Sequence, residues 1–278
     1  MKFKTIAIVG LGLMGGSLAA TCRRKFSEAH IIGVSRNPKS LQWALKKKWI
    51  HKGTSSLAEG IANADLVVLC SPVDTFGPML VAIDKMAARG TLVTDVGSVK
   101  KEILKFVGKR QLKRIQFVGA HPMVGSHRQG IQAADPFLYD EGMTFVIRDR
   151  GTLTRSFSRA EHFWKKISHH TIRVSAEEHD RIVSEISHLP HAIAVCLMQT
   201  VRKNYLSFAG SGFRDVTRVA LGDASIWEPI LRANQSKVRR ALKAFRRRLD
   251  TLDRFLAKHD GKNLRKYLFE AARRRKQI

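Results

Sequence analysis

The chain has 278 residues, enough for two domains with a sizeable core, and 44% hydrophobic against 26% charged residues is the balance of a folded globular protein, not a disordered one. No apolar run approaches the roughly 18 to 20 residues that span a bilayer, and glycines 10, 12, 15 and 16 interrupt the N-terminal apolar stretch; this argues against a membrane span and a secretory signal. The unusual quantity is charge: 50 Lys and Arg against 23 Asp and Glu give +27, a field that attracts polyanions at low salt.

Much of that excess falls between Arg232 and Ile278, where Val238, Leu242, Phe245, Leu249, Leu252 and Phe255 recur at helical spacing. The basic residues therefore read as the polar face of an amphipathic helix, and no specific nucleic-acid partner is expected. Cys22, Cys70 and Cys196 are odd in number, widely spaced and set in apolar sequence. They read as reduced core thiols of a cytoplasmic protein, without the ligand spacing of a metal site.

In chain order, short β-rich runs alternate with amphipathic helical stretches. The runs are Ile6–Val9, Ile31–Val34, Leu66–Cys70, Thr91–Thr94, Gln116–Val118, Met143–Ile147 and Thr171–Val174. Alternation of this kind predicts βαβ units and a doubly wound, mostly parallel sheet covered by helices. After Ser175 the β signal vanishes and helical periodicity takes over. The expected organisation is an α/β domain over 1–174 and an all-helical domain over 175–278, whose long apolar faces suit a homodimer.

Gly10-Leu11-Gly12-Leu13-Met14-Gly15 fits G-x-G-x-x-G, and its context makes the match specific: it follows one predicted strand and opens an apolar helix. Gly10 permits the tight turn, Gly12 lets the backbone approach a pyrophosphate, and Gly15 lets helix pack on strand; the helix N-terminus, from Leu13 and Met14, offers N–H groups to the anion. This is the Rossmann fingerprint, so the fold class is a Rossmann-type α/β domain followed by a helical one. About 20 residues on, the second strand ends at Ser35-Arg36, where a carboxylate would select NAD. A hydroxyl and a guanidinium suit a 2′-phosphate, so the preferred cofactor is NADP, with NAD second. The loops beginning Ser71-Pro72 and Asp95-Val96-Gly97-Ser98 follow strands and are expected to face the cofactor.

Four further motifs occur in order: Thr94-Asp95-Val96-Gly97-Ser98-Val99-Lys100, Gly119-Ala120-His121-Pro122-Met123-Val124-Gly125, Ser187-His188-Leu189-Pro190-His191 and Ser211-Gly212-Phe213-Arg214-Asp215-Val216-Thr217-Arg218. With the Gly-rich opening they closely resemble the prephenate and arogenate (cyclohexadienyl) dehydrogenases of tyrosine biosynthesis, over about residues 5 to 227. The resemblance implies NAD(P)-dependent oxidative decarboxylation of prephenate to 4-hydroxyphenylpyruvate, or of arogenate to tyrosine. It implies that His121 takes the hydroxyl proton and that Ser98 holds the same hydroxyl or the imidazole. Arg218 becomes the substrate's carboxylate clamp, with His191 its partner. Ser187 stands four before His191 on one helix face, and Arg214 and Asp215 lie close enough to assist Arg218. His188 reads either as a substrate contact or as a packing histidine, His179 as a support behind the site, and Trp227 as an aromatic at its edge or a core residue. Where some relatives carry an acid after His-Pro-Met-x-Gly, this chain has Ser126-His127-Arg128, a basic pair that could favour an anionic substrate.

The competing reading is another Rossmann oxidoreductase of the β-hydroxyacid dehydrogenase or imine reductase type. Those families usually place a lysine or aspartate on the first long helix of the second domain, where this chain offers Ser184, Ser187, His188 and His191.

Overall fold

The computed structural model describes residues 2–126, 128–149 and 151–278. Strands β1 (Thr5–Val9), β2 (His30–Val34), β3 (Lys52–Thr54), β4 (Leu66–Leu69), β5 (Thr91–Asp95) and β6 (Ile115–Phe117) form one sheet, and β7 (Ala120–Pro122), β8 (Met143–Ile147) and β9 (His170–Val174) a second. Helices α1 (Leu13–Lys25), α2 (Pro38–Lys46), α3 (Leu57–Ile61), α4 (Phe76–Met86), α5 (Lys101–Arg110) and α6 (Thr154–Ile167) alternate with them. Helices α7 (Ala176–Val183), α8 (Leu189–Thr200), α9 (Ser211–Thr217), α10 (Ala224–Ala233), α11 (Gln235–Ala257) and α12 (Gly261–Arg275) follow.

The first sheet is parallel throughout with order β3-β2-β1-β4-β5-β6. The strand order reverses between β1 and β4, so their C-terminal ends open a crevice there. Apolar cores lie on both faces of this sheet. One contains Ile6, Ile8, Leu18 and Trp164, the other Val67, Leu69, Phe76 and Leu80. Fully buried parallel strands read as continuous apolar runs, which is why β1, β4 and β5 were legible.

Two features differ from expectation. Lys52–Thr54 and Ala120–Pro122 are strands too short to announce themselves. The last three strands leave the main sheet, β7 pairing antiparallel and β9 parallel with β8. The cysteines also divide: Cys22 is buried, Cys70 half-buried and Cys196 exposed, so the core assignment is corrected for Cys196. Among the described residues no helix is long and apolar enough to cross a membrane, and no His, Cys, Asp and Glu cluster has the geometry to hold a metal ion.

Helix α7 begins where Ser175 accepts from the Glu178 N–H, a Ser-x-x-Glu start with Glu177 and Glu178 complementing the helix dipole. That cap fixes the phase that buries His179 and Asp180. Ser184–His188 is a π-turn joining α7 to α8; the Leu189 N–H reaches back five residues to the Ser184 carbonyl. Insertions of this kind shift helix phase and concentrate at functional sites.

Candidate active site

The Gly-rich turn is built as its spacing requires. Gly10 has φ +98°, and a Cβ there would lie 2.9 Å from the Cys70 backbone; one on Gly15 would fall 1.8 Å from the Gly10 carbonyl oxygen. A Cβ on Gly12, by contrast, would meet nothing within 4 Å. The space over Gly12 and the uncapped α1 N-terminus, with no acid in its first turn, fit a pyrophosphate. Leu13 and Met14 are half-buried, and the Met14 carbonyl accepts from Tyr139 Oη at 3.0 Å, which ties α1 to the segment before β8.

At the end of β2, Ser35 is half-buried, and its Oγ accepts from the Asn37 N–H at 3.2 Å. Arg36 is exposed and has no ion pair among the described residues. Ser71 Oγ and Thr75 Oγ1 are hydrogen-bonded at 2.8 Å, and Thr75 donates to the Pro72 carbonyl at 2.6 Å, so the turn after β4 is held by its own side chains.

The chemistry gathers where the second sheet meets the helical domain. His121 stands on β7, not in a loop, paired with Phe145 on β8. Its Nδ1 lies 2.9 Å from His179 Nε2, and His179 Nδ1 lies 2.7 Å from Asp180 Oδ1. Asp180 also accepts from the Lys100 N–H at 2.9 Å and the Lys101 N–H at 3.0 Å, the amides that open α5. Beneath this, Lys100 Nζ is fully buried on Asp95, whose carboxylate further accepts from the Gly97 and Ala120 amides at 2.9 Å each. Asp95 and Lys100 thus staple the end of β5, its loop and the start of β7, one residue before His121.

Electrostatics follow from that burial. Desolvation, reinforced by His179, Lys100 and His188, holds His121 well below the usual imidazole value. Burial lowers His179 as well, though Asp180 opposes it. Burial alone would raise Asp180, yet His179 and the Lys100 and Lys101 amides hold its carboxyl below the usual range. Burial also depresses the Lys100 ammonium against the pull of Asp95.

On the helical side His191 stacks on Trp227, centroids 3.6 Å apart and planes at 5°, while its Nδ1 donates to the Val219 carbonyl at 2.9 Å. Val219 follows Arg218, so this bond ties the backbone next to Arg218 to α8. His188 lies edge-on to Trp227, its Nδ1 3.3 Å from Asn234 Nδ2. It is fully buried and lowered to about 4, chiefly by desolvation, and its ring faces the Ser98 backbone across the domain junction. Its Nε2 is a buried atom with no hydrogen-bond partner among the described residues.

Several expectations need correction. The π-turn brings His188 to the buried face with His191, while Ser187 is only half-buried. Among the described residues Ser98 makes no hydrogen bond to His121, whose ring partner is His179; the Ser98 hydroxyl is left open. Arg214, Asp215 and Arg218 are exposed, and Asp215 forms no ion pair with Arg218. Ser126 and Arg128 are exposed and His127 lies outside the described residues; Gln129 next to them reaches Asp223 at the N-terminus of α10. Asp95, Lys100, Asp180 and Asn234 were not singled out as site residues, although the first two stand inside a quoted motif and Asp180 directly follows His179.

A family model for the nucleotide-binding domain of prephenate dehydrogenase matches residues 18–173, and one for the prephenate dehydrogenase dimerization domain matches residues 175–270. The chain belongs to the prephenate dehydrogenase family. It is a dehydrogenase with an NAD(P)-binding domain. Similar members include the prephenate dehydrogenase of Bacillus subtilis, 33% identical over 95% of this chain and 73% of that protein. The cyclohexadienyl dehydrogenase of Zymomonas mobilis is 29% identical over 98% of this chain and 95% of its own length. The prephenate dehydrogenase of Aquifex aeolicus, solved with hydroxyphenyl propionate and NAD+, superposes with a TM-score of 0.92 at 29% identity, covering 100% of this chain and 99% of that one. Family membership displaces the β-hydroxyacid dehydrogenase and imine reductase reading.

Proposed function

We propose that the protein catalyses the oxidative decarboxylation of prephenate or arogenate, with NADP preferred over NAD, and that His121 is its general base. The observation that carries this is the buried His121, hydrogen-bonded to His179 with Asp180 behind it, where His188 of the π-turn faces the Ser98 backbone.

Bound NAD(P)+ supplies the hydride acceptor. Gly10, Gly12 and Gly15 would admit the pyrophosphate to the α1 N-terminus, Ser71 and Pro72 would border its site, and Ser35 and Arg36 would receive the 2′-phosphate. Arg218 pairs with a substrate carboxylate, and His191, oriented by Val219 and Trp227, supports it. Ser187, His188, Arg214 and Asp215 line the approach, and Ser98 hydrogen-bonds the ring hydroxyl. As hydride leaves the carbon that bears this hydroxyl, His121 takes the hydroxyl proton. The bond to the ring carboxylate breaks, carbon dioxide departs, the bonding pair moves through the ring onto the oxygen to complete the aromatic ring, and the phenolate takes its proton back from His121. Burial keeps His121 neutral and ready to accept a proton at pH 7.

We further assign residues 1–174 to the nucleotide-binding domain and 175–278 to a substrate-binding and dimerisation domain of a cytoplasmic homodimer. The matched dimerization-domain model and the apolar side chains left exposed on α11 and α12, Leu249, Leu256, Leu268 and Phe269, support the dimer. Sedimentation equilibrium at twice the chain mass is the expected result, and a monomer at micromolar concentration removes it.

The direct test of function is purified protein reducing NADP only when prephenate or arogenate is present. His121→Asn is expected to lower kcat by about 10²-fold or more with cofactor binding retained. Turnover near wild type removes His121 from the chemistry, and no reduction with either substrate rejects the reading.

A further inference from the structure

The chain of hydrogen bonds behind His121 has a direction, and that direction decides which ring nitrogen can act. Asp180 is met by the Lys100 and Lys101 amides, which can only donate and engage one carboxyl oxygen each, and by His179 Nδ1. An obligate donor on each oxygen favours the carboxylate over a carboxyl that must carry a proton on one of them. Asp180 is therefore ionised, as its depressed pKa also indicates. An acceptor at Asp180 places the proton of neutral His179 on Nδ1 and leaves a lone pair on Nε2. That lone pair lies 2.9 Å from His121 Nδ1. His121 Nδ1 must then carry the proton, and its Nε2 must carry the lone pair.

We propose that Asp180 and His179 are positioning residues that fix the tautomer of His121, so that its Nε2 is presented to the substrate as the proton acceptor. The inference rests on the reading of His121 as general base and adds the device that makes it one. An imidazole free to choose its tautomer would present N–H to a substrate hydroxyl part of the time, and in that form it cannot take a proton. The same chain steadies the product of the transfer. Once His121 is an imidazolium, its Nδ1–H still donates to His179, and the Asp180 carboxylate stands one ring behind as counter-charge.

The surroundings favour this direction over the reverse. A doubly protonated His179 would donate to His121 and force the proton onto its Nε2, but His179 is fully buried, and the Lys100 ammonium adds positive charge nearby. The groups facing His121 electrostatically are His179 from α7, Lys100 from the loop before α5, and His188 from the π-turn; all three disfavour a second proton on the ring. The Phe145 ring from β8 meets His179 edge-on at 5.4 Å and holds its plane. Asn234, donating to the Asp180 carbonyl at 2.7 Å, anchors the carboxylate's own residue to the start of α11.

Asp180 also has a purely structural occupation, since it caps the amides that open α5. The experiment must separate the two. In Asp180→Asn the new amide can donate to His179 Nδ1; the chain then reverses, and His121 carries its proton on Nε2. Long-range proton–nitrogen correlation spectra of histidine-labelled protein without substrate read this directly. The wild type is expected to show His121 as the Nδ1–H tautomer and Asp180→Asn as the Nε2–H tautomer. Turnover of the variant should drop by about 10³- to 10⁴-fold, the scale seen when the carboxylate behind a serine-protease histidine is made an amide. KM for the substrate should stay within about threefold, because ground-state contacts are untouched.

A wild-type His121 found as the Nε2–H tautomer overturns the proposal, as does a folded Asp180→Asn that keeps both the wild-type tautomer and the wild-type kcat. Should the variant not fold for want of the α5 cap, the wild-type spectrum alone decides. Because that spectrum needs no substrate, it also separates this inference from the functional reading. The expected tautomer without NADP reduction rejects the substrate assignment and leaves the relay standing; reduction with the opposite tautomer does the reverse.

Discussion

At the end of β2 the proposed preference for NADP turns on a single hydroxyl. Ser35 Oγ accepts from the Asn37 N–H, Arg36 next in sequence is exposed, and Asn37 turns its side chain back to cap α2 through the Lys39 N–H at 3.0 Å. A 2′-phosphate placed there meets a donor and a cation and no carboxylate. Ser35→Asp is expected to move the NADP:NAD ratio of kcat/KM by about 10²-fold or more towards NAD, since placing like charges against each other costs several kcal/mol. Steady-state kinetics with both cofactors checks it; a wild type already favouring NAD tenfold contradicts the assignment. Residues of this kind are legible in sequence because their spacing from the Gly-rich turn is local. Asp180 was not, although it directly follows His179. Its importance lies in touching the α5 amides 79 and 80 residues away, and only the folded chain brings those together.

Elements are held in place by the same long-range contacts. The Asp95–Lys100 pair is completely buried and gathers two backbone amides, so β5, its loop and β7 move as one body. Removing one member leaves the other as an uncompensated buried charge. Lys100→Met is therefore expected to destabilise the protein by about 3–5 kcal/mol, read as a lowered urea midpoint with an unchanged slope. A midpoint within experimental error of wild type would mean that the pair is dispensable. The helical elements show where periodicity fails. Spacing of four puts Ser187 and His191 on one face; what it does not foresee is the π-turn, with His188 fully buried and Ser187 only half-buried. Pro190 signalled an irregularity, yet a missing N–H does not say which carbonyl the preceding amide will choose. The split of the strands into two sheets was equally hidden, because β8 and β9 carry the same apolar pattern whichever sheet they join.

Over the whole molecule the alternating and helical halves were legible from period alone, whereas the junction between them depends on buried histidines contributed by both. His121 comes from the sheet side and His179, His188 and His191 from the helical side, and burial is the leading cause that holds each below the usual imidazole value. Since their folded pKa values lie under the unfolded one, the unfolded chain binds more protons once the pH drops below about 6.5, and stability falls as the solution is acidified through that window. For His188, fully buried and lowered to about 4, this amounts to on the order of 2 kcal/mol lost by pH 5. The depressed carboxyls of Asp180 and Glu161 act in the same sense, but only as the pH falls through their own lower range. A chain of net charge +27 gains further self-repulsion as each histidine protonates. The melting temperature is therefore expected to fall steadily from pH 7 to pH 5, and His188→Gln should flatten that slope even if it lowers stability at pH 7. Scanning calorimetry at fixed ionic strength measures both, and a melting temperature that is level or rising towards pH 5 would show that these rings are not held neutral by the fold.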